Sequence, residues 1–119
     1  MHPSHGARVV LELVAQSRDQ IRYAVSLYTP VEMWQTSMSV RLATGRVRCG
    51  TWQGSEARPP SWLVLTARSF LRTQWRACQA DASMGWPRRI LRWRPAKTAA
   101  QGEAGEDASR GPRSDGPER

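Results

Sequence analysis

Apolar residues recur at helical spacing near the start of the chain, between residues 7 and 28. On a helical projection, one face carries the apolar side chains Val10, Leu13, Val14, Ile21, Val25 and Tyr28. Arg18 and Arg22, four residues apart, fall on the more polar side. The pattern therefore predicts an amphipathic helix that packs against a partner surface. Docking on a membrane surface is the functional alternative, and the presence of both charge signs on the polar face weighs against it.

The next segment, residues 29–45, carries two patterns that disagree. The Thr-Pro-Val-Glu sequence at residues 29–32 is a helix-start pattern with a capping threonine, a proline at the first helical position and a capping-box glutamate. Further on the chain alternates instead, and one side of that alternation consists of Trp34, Thr36, Met38, Val40 and Leu42. We favour a β-hairpin over residues 34–52 with a turn at Thr44 and Gly45, because the alternation is longer than the capping pattern.

A second amphipathic helix is predicted over residues 62–82, after a Gly- and Pro-containing loop at residues 54–60 and a capping Ser61. Its apolar face would consist of Val64, Ala67, Leu71, Trp75, Cys78 and Ala82. Beside that face runs a row of arginines spaced four residues apart, namely Arg68, Arg72 and Arg76. We interpret this row as a solvated face next to a buried stripe, with contact to phosphate groups as the alternative.

Residues 86–97 form the densest cationic stretch of the chain. Arginines neutralise phosphates and tryptophans stack on unpaired bases, so nucleic-acid contacts are predicted from this segment. The candidate binding residues are Trp86, Arg88, Arg89, Arg92, Trp93, Arg94 and Lys97. The same composition also fits the headgroup level of an anionic bilayer, or an import signal for the nucleus or nucleolus. Residues 98–119, rich in Gly, Ala, acids and Arg, are expected to form a disordered tail.

The predicted organisation is a helical and hairpin region over residues 1–85, the basic segment at 86–97 and the tail at 98–119. The expected fold class is mainly α with a single β-hairpin, in a small, marginally stable and partly disordered protein. Composition supports low stability, because Val, Leu, Ile and Phe provide only nineteen of 119 residues. That share lies below the fraction of about one fifth under which charged chains tend to be disordered. Six tryptophans offset part of the deficit.

Arginine is far commoner than lysine, with seventeen arginines against Lys97 alone. Arg, Ala, Gly and Pro, which have GC-rich codons, make up 48 residues, whereas Asn, Lys, Phe, Ile and Tyr make up six. This bias predicts the product of a GC-rich reading frame without a selected function, and no specific biochemical function follows from it. The net charge of +8 predicts attraction to polyanions, either nucleic acid or anionic lipid. One alternative is therefore non-specific nucleic-acid binding through residues 86–97, and another is an amphipathic membrane-surface or protein-interaction peptide.

Candidate catalytic and metal-binding groups are few and scattered. Cys49 and Cys78 are compatible with one disulfide or two free thiols, and a guanidinium at Arg48 favours a lowered thiol pKa for its neighbour. His2 and His5 have no neighbouring ligand cluster. We therefore expect no enzyme activity, no cofactor and no metal site. No apolar run has the length of a membrane span. The compartment is not determined, although the basic cluster favours nucleus or nucleolus over mitochondrion.

Overall fold

The computed structural model describes residues 2–95, which form an antiparallel sheet covered on one side by a helix. In chain order the elements are β1 (Ala7–Gln16), β2 (Gln20–Tyr28), β3 (Met33–Arg41), β4 (Val47–Cys49), β5 (Gln53–Gly54), α1 (Ser61–Ala80) and β6 (Arg89–Arg94). The strand order across the sheet is β4-β3-β2-β1-β6, and β5 pairs with β3. The fold is therefore mainly antiparallel β, and the prediction of a mainly α protein was wrong. The predicted tail at residues 98–119 and Lys97 lie outside the described residues.

Residues 7–28 form the β1–β2 hairpin and not the predicted helix. The segment also has a period of two, which places Val9 opposite Leu27 and Leu11 opposite Val25 in the antiparallel register. Valine, isoleucine and tyrosine favour strands. The Ser17 hydroxyl accepts hydrogen bonds from the backbone N–H groups two and three residues later, at 3.3 and 3.1 Å, and so stabilises the chain reversal. Helical and alternating patterns coexist here, and strand pairing satisfies the alternating one.

The hairpin predicted for residues 34–52 is confirmed by the antiparallel pairing of β3 with β4. Its alternation buries Trp34 and Val40 on the same face. Gly45 lies in the turn at φ +77°, in the left-handed region that glycine adopts without a steric cost. The helix-start pattern has a different role, because the Thr29 hydroxyl accepts a hydrogen bond at 3.0 Å from the backbone N–H three residues later, in the turn between β2 and β3.

The helix predicted for residues 62–82 is confirmed as α1. Pro60 occupies the N-cap position, so Ser61 is the first helical residue and not the predicted cap. The face that packs on the sheet buries Leu63, Ala67 and Leu71. Leu63 was not part of the predicted apolar face, and Ala82, which was, follows the end of the helix and is exposed. The helix thus lies where it was predicted, but its buried face is slightly rotated from the predicted one.

One continuous core lies between α1 and the sheet. Fifteen buried residues form it, and Trp34 and Tyr23 are its largest fully buried side chains. The tyrosine hydroxyl donates a hydrogen bond to the backbone carbonyl of Pro87, so its polar end is paired. The opposite face of the sheet carries polar residues, among them the cross-strand pair Ser26 and Gln35. Within residues 2–95, no helix combines the length and the hydropathy needed to cross a bilayer.

Candidate nucleic-acid interface

The predicted binding segment at residues 86–97 contains strand β6, and this strand divides the arginines between two faces. Its register pairs Val9 with Arg92 and Ala7 with Arg94, which places both arginines on the side of the sheet that faces α1. There the two guanidinium carbons lie 5.8 and 5.2 Å from the ring centroid of Phe70, a cation–π distance. These two arginines are therefore partly engaged with the helix.

The remaining described residues of that segment have separate surroundings. Trp86 is partly buried against the core, and its ring centroid lies 6.2 Å from that of Tyr23. Trp93 lies on the other face of the sheet, where its indole N–H donates a hydrogen bond to the backbone carbonyl of His5 at 2.9 Å. The Nε of Arg89 lies 3.7 Å from Oε2 of Glu12. Arg88 is exposed. The structure thus does not bring Trp86, Arg88, Arg89, Arg92, Trp93 and Arg94 together on one surface.

A second cationic surface does converge, in an open groove of about 580 Å³ between α1 and the β3–β4 hairpin. We call it the arginine groove, and its polar lining consists of Thr44, Arg46, Arg68, Ser69, Arg72 and Arg76. Three of its arginines are the row recognised in the sequence, and the fourth comes from the opposite wall, next to the hairpin turn. The row is therefore one side of a concave site, which the sequence does not show.

Contacts between the helix and the hairpin hold the two walls of the arginine groove together. The Arg68 guanidinium donates a hydrogen bond to the backbone carbonyl of Val47 at 3.0 Å. Further along α1, the indole N–H of Trp75 donates to the backbone carbonyl of Leu42 at 2.9 Å. Gly45 fits directly against the same indole ring. Because these contacts join α1 to both ends of the turn, they fix the width of the groove.

The arginine groove is electropositive because four arginines line it and, within the described part of the chain, no acidic side chain does. Fourteen arginines and five acidic residues lie between residues 2 and 95, so positive charge is in excess over the whole described chain. The ion pair between Arg89 and Glu12 lies far from the groove in the fold. Arg46, Arg72 and Arg76 are exposed. Cations gathered in a concave site attract anions more strongly than the same charges spread over a surface.

An apolar cleft of about 590 Å³ adjoins the arginine groove at the N-terminal end of α1. We call it the tryptophan cleft, and its lining includes Trp34, Trp52, Ser55, Pro59, Val64 and Leu65. Leu65 is 61% exposed and lines both the groove and the cleft. The cleft was not anticipated from the sequence, because its walls come from β3, the loop before α1 and the helix itself.

The candidate catalytic and metal-binding groups named from the sequence are the cysteines and the histidines. Burial raises the pKa of the Cys49 thiol, and the smaller lowering effects come from a hydrogen bond with Thr36 and from Arg68. The expectation that Arg48 lowers this pKa was therefore wrong. Both cysteines are free thiols. Residues 2–95 contain no group of three or more His, Cys, Asp or Glu side chains placed to hold a metal ion.

No family model, curated protein or solved structure matches this chain. The geometry of its own residues is therefore what points to a function. The sequence signal that pointed to the arginine groove was the four-residue spacing of the helix arginines. What the sequence lacked was any indication that Arg46 lies across from them, since more than twenty residues separate this arginine from the row.

Proposed function

We propose that this protein binds nucleic acid through the arginine groove. The observation that carries the proposal is the convergence of Arg46, Arg68, Arg72 and Arg76 on one concave surface, which no acidic side chain of residues 2–95 lines. A guanidinium is planar and presents paired N–H donors that match two phosphate oxygens. Four such groups around a groove provide both the charge and the hydrogen-bond donors for a run of phosphates.

The spacing of the helix arginines fits a nucleic-acid strand along the helix axis. Four residues of α-helix rise about 6 Å, so the row from Arg68 to Arg76 covers about 12 Å. Nucleotides stacked as in one strand of a duplex rise about 3.4 Å each, so the row matches three to four nucleotides. The hydroxyls of Thr44 and Ser69 add two further hydrogen-bonding groups to the same groove.

The packing of the apolar residues favours nucleic acid over a lipid surface as the partner. The apolar stripe of α1 is buried on the sheet, and residues 7–28 form strands that place their alternating apolar side chains in the same core. Neither segment therefore presents an amphipathic helix with a free apolar face to a bilayer. The arginines line the inside of a groove, which suits a strand better than it suits a flat membrane surface.

The test is fluorescence anisotropy with a labelled single-stranded oligonucleotide over a series of salt concentrations. A groove variant with Arg46, Arg72 and Arg76 all changed to Gln removes three groove charges but keeps the Arg68 contact to the hairpin. We expect it to weaken binding and to reduce the slope of log K against log salt by about 2, because each single-strand phosphate contact contributes about 0.7.

The matched control changes Arg88, Arg89 and Arg92 to Gln, which removes the same charge from the basic segment at residues 86–97. We expect this control to retain most of the affinity and of the salt slope. If the control loses as much affinity as the groove variant or more, then the interface lies on the basic segment and not in the arginine groove. If neither variant changes the binding, the proposal is wrong, and only incidental attraction of an arginine-rich chain to polyanions is left.

A further inference from the structure

We infer that the tryptophan cleft receives an unpaired base of the strand whose phosphates lie in the arginine groove, which makes the protein selective for single-stranded nucleic acid. This inference rests on the proposed function, and it assigns a role to a cleft that the phosphate contacts leave unused. Its basis is the juxtaposition of an arginine groove and an apolar cleft along one side of α1, with Leu65 as their shared wall.

The lining of the tryptophan cleft matches a planar ring with polar edges. Trp52, Pro59 and Val64 contribute apolar surface, and the Trp52 ring is only partly buried. Stacking of a base on an aromatic ring is tolerant of sequence, because every base has a π-face. The Ser61 hydroxyl at the same cleft can donate to or accept from the edge of a base, and the Ser55 hydroxyl, whose proton is donated to Glu32, can accept.

The chain itself shapes the cleft, because hydrogen bonds fix the loop that forms its outer wall. The indole N–H of Trp34, which is buried, donates to the backbone carbonyl of Ala57 at 2.6 Å. The Ser55 hydroxyl donates to Oε2 of Glu32 at 2.7 Å, and the Ser55 backbone N–H donates to the carbonyl of Met33 at 2.9 Å. A cleft that is preformed in this way loses little conformational entropy when a ring enters it.

The charges around the tryptophan cleft agree with a base at this position and phosphates beyond it. Among the described residues, Arg58 and Glu56 also line the cleft and balance each other, whereas the charged residues of the adjoining groove are all arginines. A neutral, mainly apolar cleft suits the uncharged base, and the cationic groove suits the charged backbone. A strand along α1 would therefore place a base near Leu65 and its following phosphates beside Arg68 and Arg72.

Selectivity for single strands follows from the geometry of base pairing. A base inside a duplex is stacked and paired, so it reaches a cleft in the protein only if the duplex opens, which costs the stacking and pairing energy of that base. An unpaired base enters without that cost. The arginine groove alone would bind single strands and duplexes alike. A higher affinity for single strands than for duplexes would therefore come from the cleft.

The experiment compares the affinities of the full chain for three labelled ligands: a single-stranded oligonucleotide, an abasic strand of the same length, and a duplex. Stacking of one base corresponds to a preference of about 5-fold to 150-fold. We therefore expect the strand with bases to bind at least about fivefold more tightly than the abasic strand. Trp52→Leu should remove that preference, whereas the control Trp86→Leu should retain it.

Leu65→Ser provides a second variant at a largely exposed position, so it keeps the test informative if Trp52→Leu fails to fold. We expect it to reduce the preference for bases without changing the salt slope. Equal affinity for the abasic strand and the strand with bases overturns the inference, while a slope that still depends on the groove arginines leaves the proposed function intact. Competition by a nucleoside monophosphate as effective as the oligonucleotide also overturns it, since the ligand would then be a free nucleotide.

Discussion

Gly45 lies in the β3–β4 turn and packs against the Trp75 ring of α1. Replacing Gly45 with alanine perturbs this contact, on which the width of the arginine groove depends. The φ of Gly45 is +77°, a conformation that costs a residue with a side chain about 1–2 kcal/mol. A Cβ at this position would lie 2.6–2.8 Å from three carbons of the Trp75 ring. Such overpacking costs about 1–3 kcal/mol, because the rigid indole has to move.

The two costs together predict that Gly45→Ala lowers the free energy of unfolding by about 2–5 kcal/mol. This is a large share of the 5–15 kcal/mol that is typical of small domains. The variant should also weaken nucleic-acid binding, because the displaced Trp75 ring loses its hydrogen bond to Leu42 and the turn moves away from the helix. The stability effect is measured by urea unfolding, followed by circular dichroism and tryptophan fluorescence.

Gly85→Ala is the matched control. A Cβ at Gly85 meets no atom within 4 Å, and its φ does not lie in the left-handed region. Its effect should stay within about 0.5 kcal/mol of zero, as for most surface substitutions. If Gly45→Ala is no more destabilising than Gly85→Ala, then the turn does not pack on Trp75, and this contact does not fix the width of the groove.

Three further predictions concern the core and its buried titratable groups. Burial, followed by the charge of Cys78, raises the pKa of Tyr23 to about 12. Because the unfolded tyrosine ionises near pH 10, this contribution to stability is complete below that pH and is lost toward pH 12, at up to about 1.4 kcal/mol per pH unit. Tyr23→Phe should therefore show a smaller loss of stability over this range in urea unfolding, and an identical pH dependence contradicts the assignment. Burial also raises the pKa of the Cys49 thiol. In a Cys78→Ser background, iodoacetamide should therefore modify the folded chain several-fold more slowly than the urea-unfolded chain at pH 8. Equal rates of modification would show that the Cys49 thiol is not shielded. Finally, Leu71→Ala should cost about 2–5 kcal/mol because Leu71 is fully buried, while Leu65→Ala should have an effect close to zero in the same unfolding experiment.

The elements that sequence reasoning located correctly are those in which one local pattern clearly outweighs any other. The α1 helix follows a Pro-rich loop and has an apolar stripe at helical spacing, which no alternating pattern contradicts. The β3–β4 hairpin has a long alternation that outweighs a short capping pattern. Residues 7–28 fit both periods, because the apolar residues are dense enough to satisfy either one. Only the presence of neighbouring strands on both sides of β1 decides between them.

The sequence by itself determined the excess of arginine, the four-residue spacing of the row on α1 and the placement of Trp34 and Val40 on one side of an alternating strand, because all of these depend on composition or on local periodicity. The tertiary structure decided which cations act together. It separates Arg92 from Arg89 because neighbouring positions of a strand alternate between the two faces of the sheet. It also brings Arg46 to the helix row through packing of the hairpin on α1, a contact between distant parts of the chain that no local pattern encodes.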